Sequence, residues 1–369
     1  MKIGIDGYEA NTEKRVGIGQ YAFQLLQALY SLDTDNEYTI FTPNVPLSDL
    51  PQERKGWKYI AGKPGPFWTI WQLPGLIKNE KMQLFFSPTH YIPWFTALPR
   101  LAAFMDLSYL RYPEMFRPKD LLQLKYMGLF AMKRARKIFT ISEFSKKEIV
   151  RYYKYPEADI VVTYPGISSN LKSPFGSAQG RQISNPNTKM KELVKNKFIL
   201  FVGTIQPRKN IIRLIAAFEM LNKEIQLILV GKKGWLYGPI LDRIKSSPKK
   251  NMIKFMDYVS AAELTRLYEQ TTCLVLPSLY EGFGLPVLEA MNYGCPVVVS
   301  NSSSLPEVAG DAGIYVDPLN SDDIARGMTE ALQLNPNERR NLVNKGKAQA
   351  KKFSWEKCAQ KTIETFNAL

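Results

Sequence analysis

Two glutamates spaced E-x7-E, Glu281 and Glu289, stand in the segment EGFGLPVLEAM, and their surroundings define the chemistry open to them. Gly282, Phe283 and Gly284 separate Glu281 from an apolar run that starts at Leu285. Pro286 suits the first turn of a helix there, and Gly294 suits the residue just past its end. The β-branched runs Cys273 to Pro277 and Pro296 to Ser300 flank the helix, so the order is strand, glycine-bearing turn, helix, strand. That is a parallel βαβ unit. A helix N-terminus behind glycines offers N–H groups and a partial positive charge, which favour a phosphate. Glu289 lies about one turn into the helix, and helical side chains lean back towards the N-terminus. Its carboxylate therefore returns to the space that Glu281 overlooks. Carboxylates repel phosphate but accept hydrogen bonds from sugar hydroxyls. A diphosphate between two hydroxyl-bearing rings satisfies both demands, so the segment reads as a nucleotide-sugar site. Arg208 and Lys209, at a turn after the strand FVG that Gly203 closes, supply the cations for such a diphosphate. Arg chelates phosphate oxygens through its fork and Lys adds a compact charge.

The spacing of Glu281 and Glu289 is similar to the donor-site signature of the retaining family-4 glycosyltransferases. Other segments resemble that family in the same order: MKIGIDG at the start, VGIGQYAFQLLQAL from Val16, ISEFSKKEI from Ile141, FVGTIQPRKN from Phe201 and LPEVAGDAGIYVDP from Leu305. The resemblance implies an α/β fold with two Rossmann-like, doubly wound parallel-sheet domains facing a cleft (the GT-B architecture). It implies that Glu289 accepts hydrogen bonds from ribose hydroxyls and that Glu281 holds hydroxyls of the donor sugar. The N–H groups near Phe283, Gly284 and Leu285, with Arg208 and Lys209, would stabilise charge on the diphosphate, and Gly203 and Gly282 belong to the same donor site. Lys209 matches the family's phosphate-contacting base, while Thr204 stands where many relatives have an Arg. Gly17 and Gly19 belong, by the resemblance, to a glycine-rich loop facing the phosphate side of the donor. As a dinucleotide fingerprint they fit poorly, because no acidic residue closes the second strand at Phe41. Asp106 is the acceptor-side catalytic candidate, but Met105 occupies the family's histidine position, and methionine cannot shuttle a proton. His90, the sole histidine, is a substitute or simply structural. Asp33-Thr34-Asp35 mimics a DxD metal motif inside a polar turn and is rejected as one. No metal or other cofactor is required if cations and a helix N-terminus neutralise the leaving group.

The elements that must position these residues alternate strand and helix twice along the chain, as parallel sheets covered by helices require. The first domain is expected over 1–167, with a C-terminal helix at 353–369 packing back on it. A linker rich in Ser, Asn, Gly and Pro follows at 168–196, and the donor-binding domain spans 197–352. At 369 residues, 45% hydrophobic and 22% charged, the chain suits two ordinary globular cores. Three scattered cysteines make neither a disulfide framework nor a zinc site, which suggests a reducing compartment. MKIGIDG reads as a first strand rather than a signal peptide, and no uncharged stretch reaches the length of a membrane span. A cytoplasmic protein, either soluble or peripheral on the inner face of a membrane, is the expectation.

The net charge of +15 points to an anionic partner. Lys119, Lys125, Lys133, Arg134, Arg136 and Lys137 gather around Leu122, Tyr126 and Leu129 at helical spacing. An amphipathic helix on an anionic membrane surface fits, and so does a helix packed on its own domain with its C-terminal cations on the dipole. Phe67, Trp68, Trp71, Tyr91, Trp94 and Phe95 could help dock at such an interface, but are expected in the core or an acceptor cleft. No nucleic-acid module accompanies the charge. The resulting expectation is a metal-independent retaining hexosyltransferase acting on a glycan or lipid-linked acceptor, with GDP-mannose favoured as donor. UDP-glucose or UDP-N-acetylglucosamine as donor, a catalytically silent nucleotide or sugar binder, and a membrane-surface adaptor are the alternatives.

Overall fold

The computed structural model describes all residues except Val16, Pro64, Pro66, Phe67, 168–196 and Tyr258, so the expected linker and Phe67 lie outside the described residues. The chain divides into two compact units, Met1–Asn170 with Phe353–Leu369, and Leu171–Lys352.

In the first unit β1 (Lys2–Asp6), β2 (Glu37–Thr42), β3 (Trp57–Ala61), β4 (Leu84–Ser87), β5 (Arg100–Phe104), β6 (Lys137–Thr140) and β7 (Ile160–Val162) form a parallel sheet in the order β3-β2-β1-β4-β5-β6-β7. Its inner strands are apolar at consecutive positions because both faces are covered. Leu101 and Ala103 of β5 join one core with Ile3, Ile5 and Phe139, whereas Ala102 and Phe104 join the opposite core with Ile138 and Ile149. The helix Ile18–Leu32 buries Tyr21, Ala22, Leu25, Leu26 and Leu29, the i, i+3, i+4 stripe of an amphipathic helix. Asp33 ends it: its carboxylate accepts from the N–H groups of Asp35 and Asn36, from Asn36 Nδ2 at 2.7 Å and from the Tyr38 hydroxyl. That acid locks a turn. The terminal helix Trp355–Asn367, N-capped by Ser354, belongs to this unit. Trp355 meets Tyr21 edge-on at 5.7 Å and Phe366 meets Phe86 at 5.5 Å.

The second unit repeats the pattern with β8 (Phe198–Val202), β9 (Gln226–Val230), β10 (Ile253–Met256), β11 (Cys273–Leu276), β12 (Val297–Ser300) and β13 (Gly313–Val316), all parallel, in the order β10-β9-β8-β11-β12-β13. Both sheets are doubly wound, and the strand order reverses between β1 and β4 and between β8 and β11. In open sheets of this type ligands bind beyond the carboxyl ends of the strands at that reversal. No helix among the described residues is long and apolar enough to cross a membrane.

Candidate functional site

The second unit's reversal point is built from the loops that leave β8 and β11. After β8 the chain turns through Pro207–Lys209 and reaches Asn210, which is left-handed at φ 59°. A short polar side chain tolerates that conformation, and Asn210 uses it to tie the region together. Its Nδ2 donates to the carbonyls of Pro277 at 2.9 Å and Pro318 at 2.6 Å, and its Oδ1 accepts from Arg213 at 3.0 Å. The turn lays the Lys209 stem across Gly203, where an added Cβ would stand 3.4 Å from Lys209 Cε.

Lys209 Nζ donates to Glu281 Oε1 at 2.5 Å, and both residues are buried. Arg208 Nη1 donates to the Tyr280 carbonyl at 2.8 Å and lies 3.4 Å from Glu281 Oε2. Burial pushes the Glu281 carboxyl up, but the charges of Lys209 and Arg208 outweigh it and hold the group below the usual carboxylate range. Two cations against one anion leave the cluster with one net positive charge.

The loop that carries Glu281 is pinned from behind by the chain that follows β12. Ser303 Oγ accepts from the Glu281 N–H at 3.1 Å, and Ser304 Oγ lies 2.9 Å from the Glu281 carbonyl and 2.8 Å from that of Phe283. Gly284 then caps the helix Leu285–Asn292 at φ +111°, with Pro286 in its first turn. The N–H groups of Gly284 and Leu285 have no hydrogen-bond partner among the described residues. A Cβ on Gly284 would be strained by its φ and would stand 2.7 Å from Leu305 Cδ2. Gly284→Ala is therefore expected to cost about 1–3 kcal/mol, visible in thermal denaturation as a midpoint lowered by several degrees. An unchanged midpoint would mean the cap tolerates a side chain.

Glu289 is also buried, but its partner is neutral: the Tyr268 hydroxyl donates to Oε2 at 2.8 Å. Tyr268 is itself fixed, stacked on Tyr293 at 6.0 Å with an interplanar angle of 4°. Burial pushes the Glu289 carboxyl up to about 7, and the Tyr268 bond offsets that only in part. Oε1 has no hydrogen-bond partner among the described residues and is available to a ligand hydroxyl. The loop thus holds a carboxylate kept ionised by cations, and the helix after it holds another whose pKa burial raises to about 7, a division of roles set by environment.

The structure gathers Gly203, Arg208, Lys209, Glu281, Gly282, Phe283, Gly284, Leu285 and Glu289 in the second unit, while Gly17, Gly19 and Asp106 belong to the first. Gly17, at φ +48°, starts the helix Ile18–Leu32 with nothing near its missing side chain, and a Cβ on Gly19 would stand 2.9 Å from the Glu9 carbonyl. Asp106 Oδ1 accepts from the Ser108 N–H at 2.9 Å and from Ser108 Oγ at 2.6 Å, closing the turn into the helix Ser108–Arg111. His90 packs on Tyr91 at 4.1 Å and Phe104 at 5.6 Å, and its Nε2 is buried without a hydrogen-bond partner among the described residues. Burial drives its pKa down to about 4 against the opposing charge of Asp106, so the ring is neutral at pH 7. Asn210, Tyr268, Ser303 and Ser304 are the supporting residues that sequence reasoning missed. Only Asn210 carried a signal, as a left-handed-tolerant residue directly after Lys209.

Residues 185–349 match the family described as Glycosyl transferases group 1, and residues 16–171 match Glycosyltransferase Family 4. O-antigen chain mannosyltransferase B of Escherichia coli is 32% identical over 96% of both chains. Among solved structures, sucrose-phosphate synthase from Thermosynechococcus elongatus superposes with a TM-score of 0.79 at 19% identity, covering 100% of this chain and 98% of that one. Anabaena Alr3699/HepE in complex with UDP-glucose superposes with a TM-score of 0.74 at 17% identity over 100% of both chains.

Proposed function

Because the chain belongs to glycosyltransferase family 4, we propose that it moves a mannosyl group from GDP-mannose to a hydroxyl of a glycan or lipid-linked saccharide, retaining the anomeric configuration. The buried cluster of Lys209, Arg208 and Glu281 beside the helix N-terminus carries this reading. An arriving diphosphate competes with Glu281 for the two cations. Arg208 and Lys209 then face the phosphates with the N–H groups of Gly284 and Leu285, and Glu281 is released to accept from hydroxyls of the donor sugar. Glu289 Oε1 accepts from the ribose. Charge that builds on the leaving diphosphate meets preorganised donors in a site of low polarity, where they act most strongly. That set supplies the neutralisation a metal ion would otherwise give, so the reaction is expected to run without one.

The sugar is proposed from the name of the 32%-identical mannosyltransferase, which covers nearly the whole chain. Retention is proposed from the family. The acceptor side is proposed to work at an anionic membrane surface on its cytoplasmic face, supported by the exposed cations Lys119, Lys125, Lys133 and Arg134 on the helix Pro118–Arg134. Radiolabelled GDP-mannose, UDP-glucose and UDP-N-acetylglucosamine, each offered with a mannose-terminated saccharide or a membrane extract in EDTA, test the proposal. Incorporation from GDP-mannose with retained configuration is expected. Incorporation from a uridine donor alone overturns the base, loss of activity in EDTA overturns metal independence, and tight nucleotide binding without transfer leaves a silent binder.

A further inference from the structure

Three separate stretches of the first unit bring large apolar side chains to one exposed patch. Trp71 of the turn Trp68–Gln72 is 65% exposed, Phe95 of the loop after β4 is 61% exposed, and their rings lie 5.6 Å apart. Phe95 continues to Trp94 at 6.4 Å, and Trp94 to Tyr126 on the helix Pro118–Arg134 at 5.9 Å. Leu122, Tyr126 and Leu129 stand at i, i+4 and i+7, exposed to 71%, 59% and 45%. Met127, Ala131 and Met132 point the opposite way into the unit, so the stripe faces outward. The patch is firmly built. Trp94 stacks on Phe130 at 4.8 Å, and Arg100 Nη1 donates to the Pro93 carbonyl at 2.9 Å and the Trp94 carbonyl at 3.3 Å. Trp71 and Phe95 thus lie outside the core, whereas Trp68 is buried.

Single exposed apolar residues are ordinary, but a contiguous set rimmed by charge marks a binding surface. The rim selects the partner. At about 100° per residue, Lys119 and Lys125 flank the Leu122–Tyr126–Leu129 stripe about 60° to either side, and Lys133 extends it. All three are exposed, and none is in an ion pair among the described residues. Leucines project among these cations where a sugar would have no use for them. Tryptophan and tyrosine favour the boundary between headgroups and acyl chains, and basic amphipathic helices lie in that plane. We infer that the stripe of Trp71, Phe95, Trp94, Tyr126, Leu122 and Leu129 inserts into the interfacial layer of an anionic phospholipid bilayer, with Lys119, Lys125 and Lys133 on the headgroups. This rests on the proposed membrane-side acceptor and goes further: apolar insertion from three elements, and not charge alone, holds the protein down.

Co-sedimentation with vesicles of phosphatidylcholine, with and without phosphatidylglycerol, tests it on the full chain. Two variants are compared, W71S/F95S/L122S and K119Q/K125Q/K133Q, with circular dichroism confirming that each is folded. Wild type is expected to bind the anionic vesicles and to lose at least about tenfold in affinity in either variant. Brominated lipid should quench wild-type tryptophan fluorescence and leave the W71S/F95S/L122S variant much less quenched. If wild type binds neither vesicle, the membrane-side acceptor itself fails. If the lysine variant is lost but the aromatic variant binds as wild type does without quenching, attachment is electrostatic and the insertion is overturned. If the aromatic variant keeps vesicle binding but loses transfer, the stripe serves a saccharide and the inference is likewise overturned.

Discussion

The Glu289→Gln protein is expected to melt several degrees above wild type at pH 8 while binding its nucleotide sugar about 10- to 100-fold more weakly. Burial raises the Glu289 carboxyl from 4.5 to about 7 in the folded chain. A carboxyl raised on folding contributes stability that is fully present below its unfolded value of 4.5 and is lost as pH rises through about 7. At pH 8 the wild type therefore buries an ionised group at a cost of about 3 kcal/mol, taking about 1.36 kcal/mol for each pKa unit. Glutamine has the same shape, still accepts from Tyr268 through its carbonyl oxygen, and carries no charge to desolvate. At pH 5, where the wild-type group is protonated, the two proteins should melt close together. Binding moves the other way, because a charged acceptor for ribose hydroxyls is replaced by a neutral amide that accepts at one atom only. Calorimetry at pH 5 and pH 8 checks the first half and titration with donor the second. A melting difference equal at both pH values would mean that Glu289 does not carry the buried charge.

Lys209→Met is expected to lower transfer by about 10²–10³-fold and to destabilise the fold by about 3–5 kcal/mol. The stability loss arises at its partner. Without Nζ, Arg208 at 3.4 Å is the one cation left beside the buried Glu281 among the described residues, and an under-compensated buried carboxylate is costly. The depressed pKa of Glu281 means that its pairing stabilises the protein above the ordinary carboxylate value and that this is lost as pH falls through the folded value. In the variant burial is no longer outweighed, so protonation relieves the orphaned carboxylate and the stability gap to wild type should narrow as pH falls. Adding Glu281→Gln removes the orphaned charge, so K209M/E281Q should recover most of the stability and none of the turnover. Urea unfolding and transfer rates measured on the same preparations separate the two effects. Recovery of turnover in the double variant would show that Lys209 acts only as a counter-ion to Glu281.

Much of this was legible in the sequence because local signals agreed with the tertiary result. The turn glycines, Pro286 and the flanking β-branched runs each specify the β11–helix–β12 unit, and the helix Leu285–Asn292 starts where they place it. Strands β3, β10 and β13 gave no such signal. They are sheet edges, paired on one side only, and β3 and β10 keep most positions partly exposed, so the continuous apolar run of an inner strand is missing. The arrangement around Glu289 was also hidden, since Tyr268 reaches it from the neighbouring helix Ala261–Gln270 by packing alone. The cations at Arg208 and Lys209 were foreseen, but not their prior engagement with Glu281, which requires two loops to meet at the strand reversal. Sequence left Trp71 and Phe95 between core, acceptor cleft and interface, and the fold removes only the core.

Recognition of a nucleoside diphosphate by Lys209, Arg208 and the helix N-terminus is tested most directly by calorimetric titration at pH 8 in EDTA with GDP-mannose, GDP and GMP. GDP-mannose and GDP should bind, GMP should bind at least about tenfold more weakly because the second phosphate is missing, and Lys209→Met should abolish that difference. Equal affinity for GMP and GDP, or no binding of any of the three to folded protein, would contradict the assignment of this site.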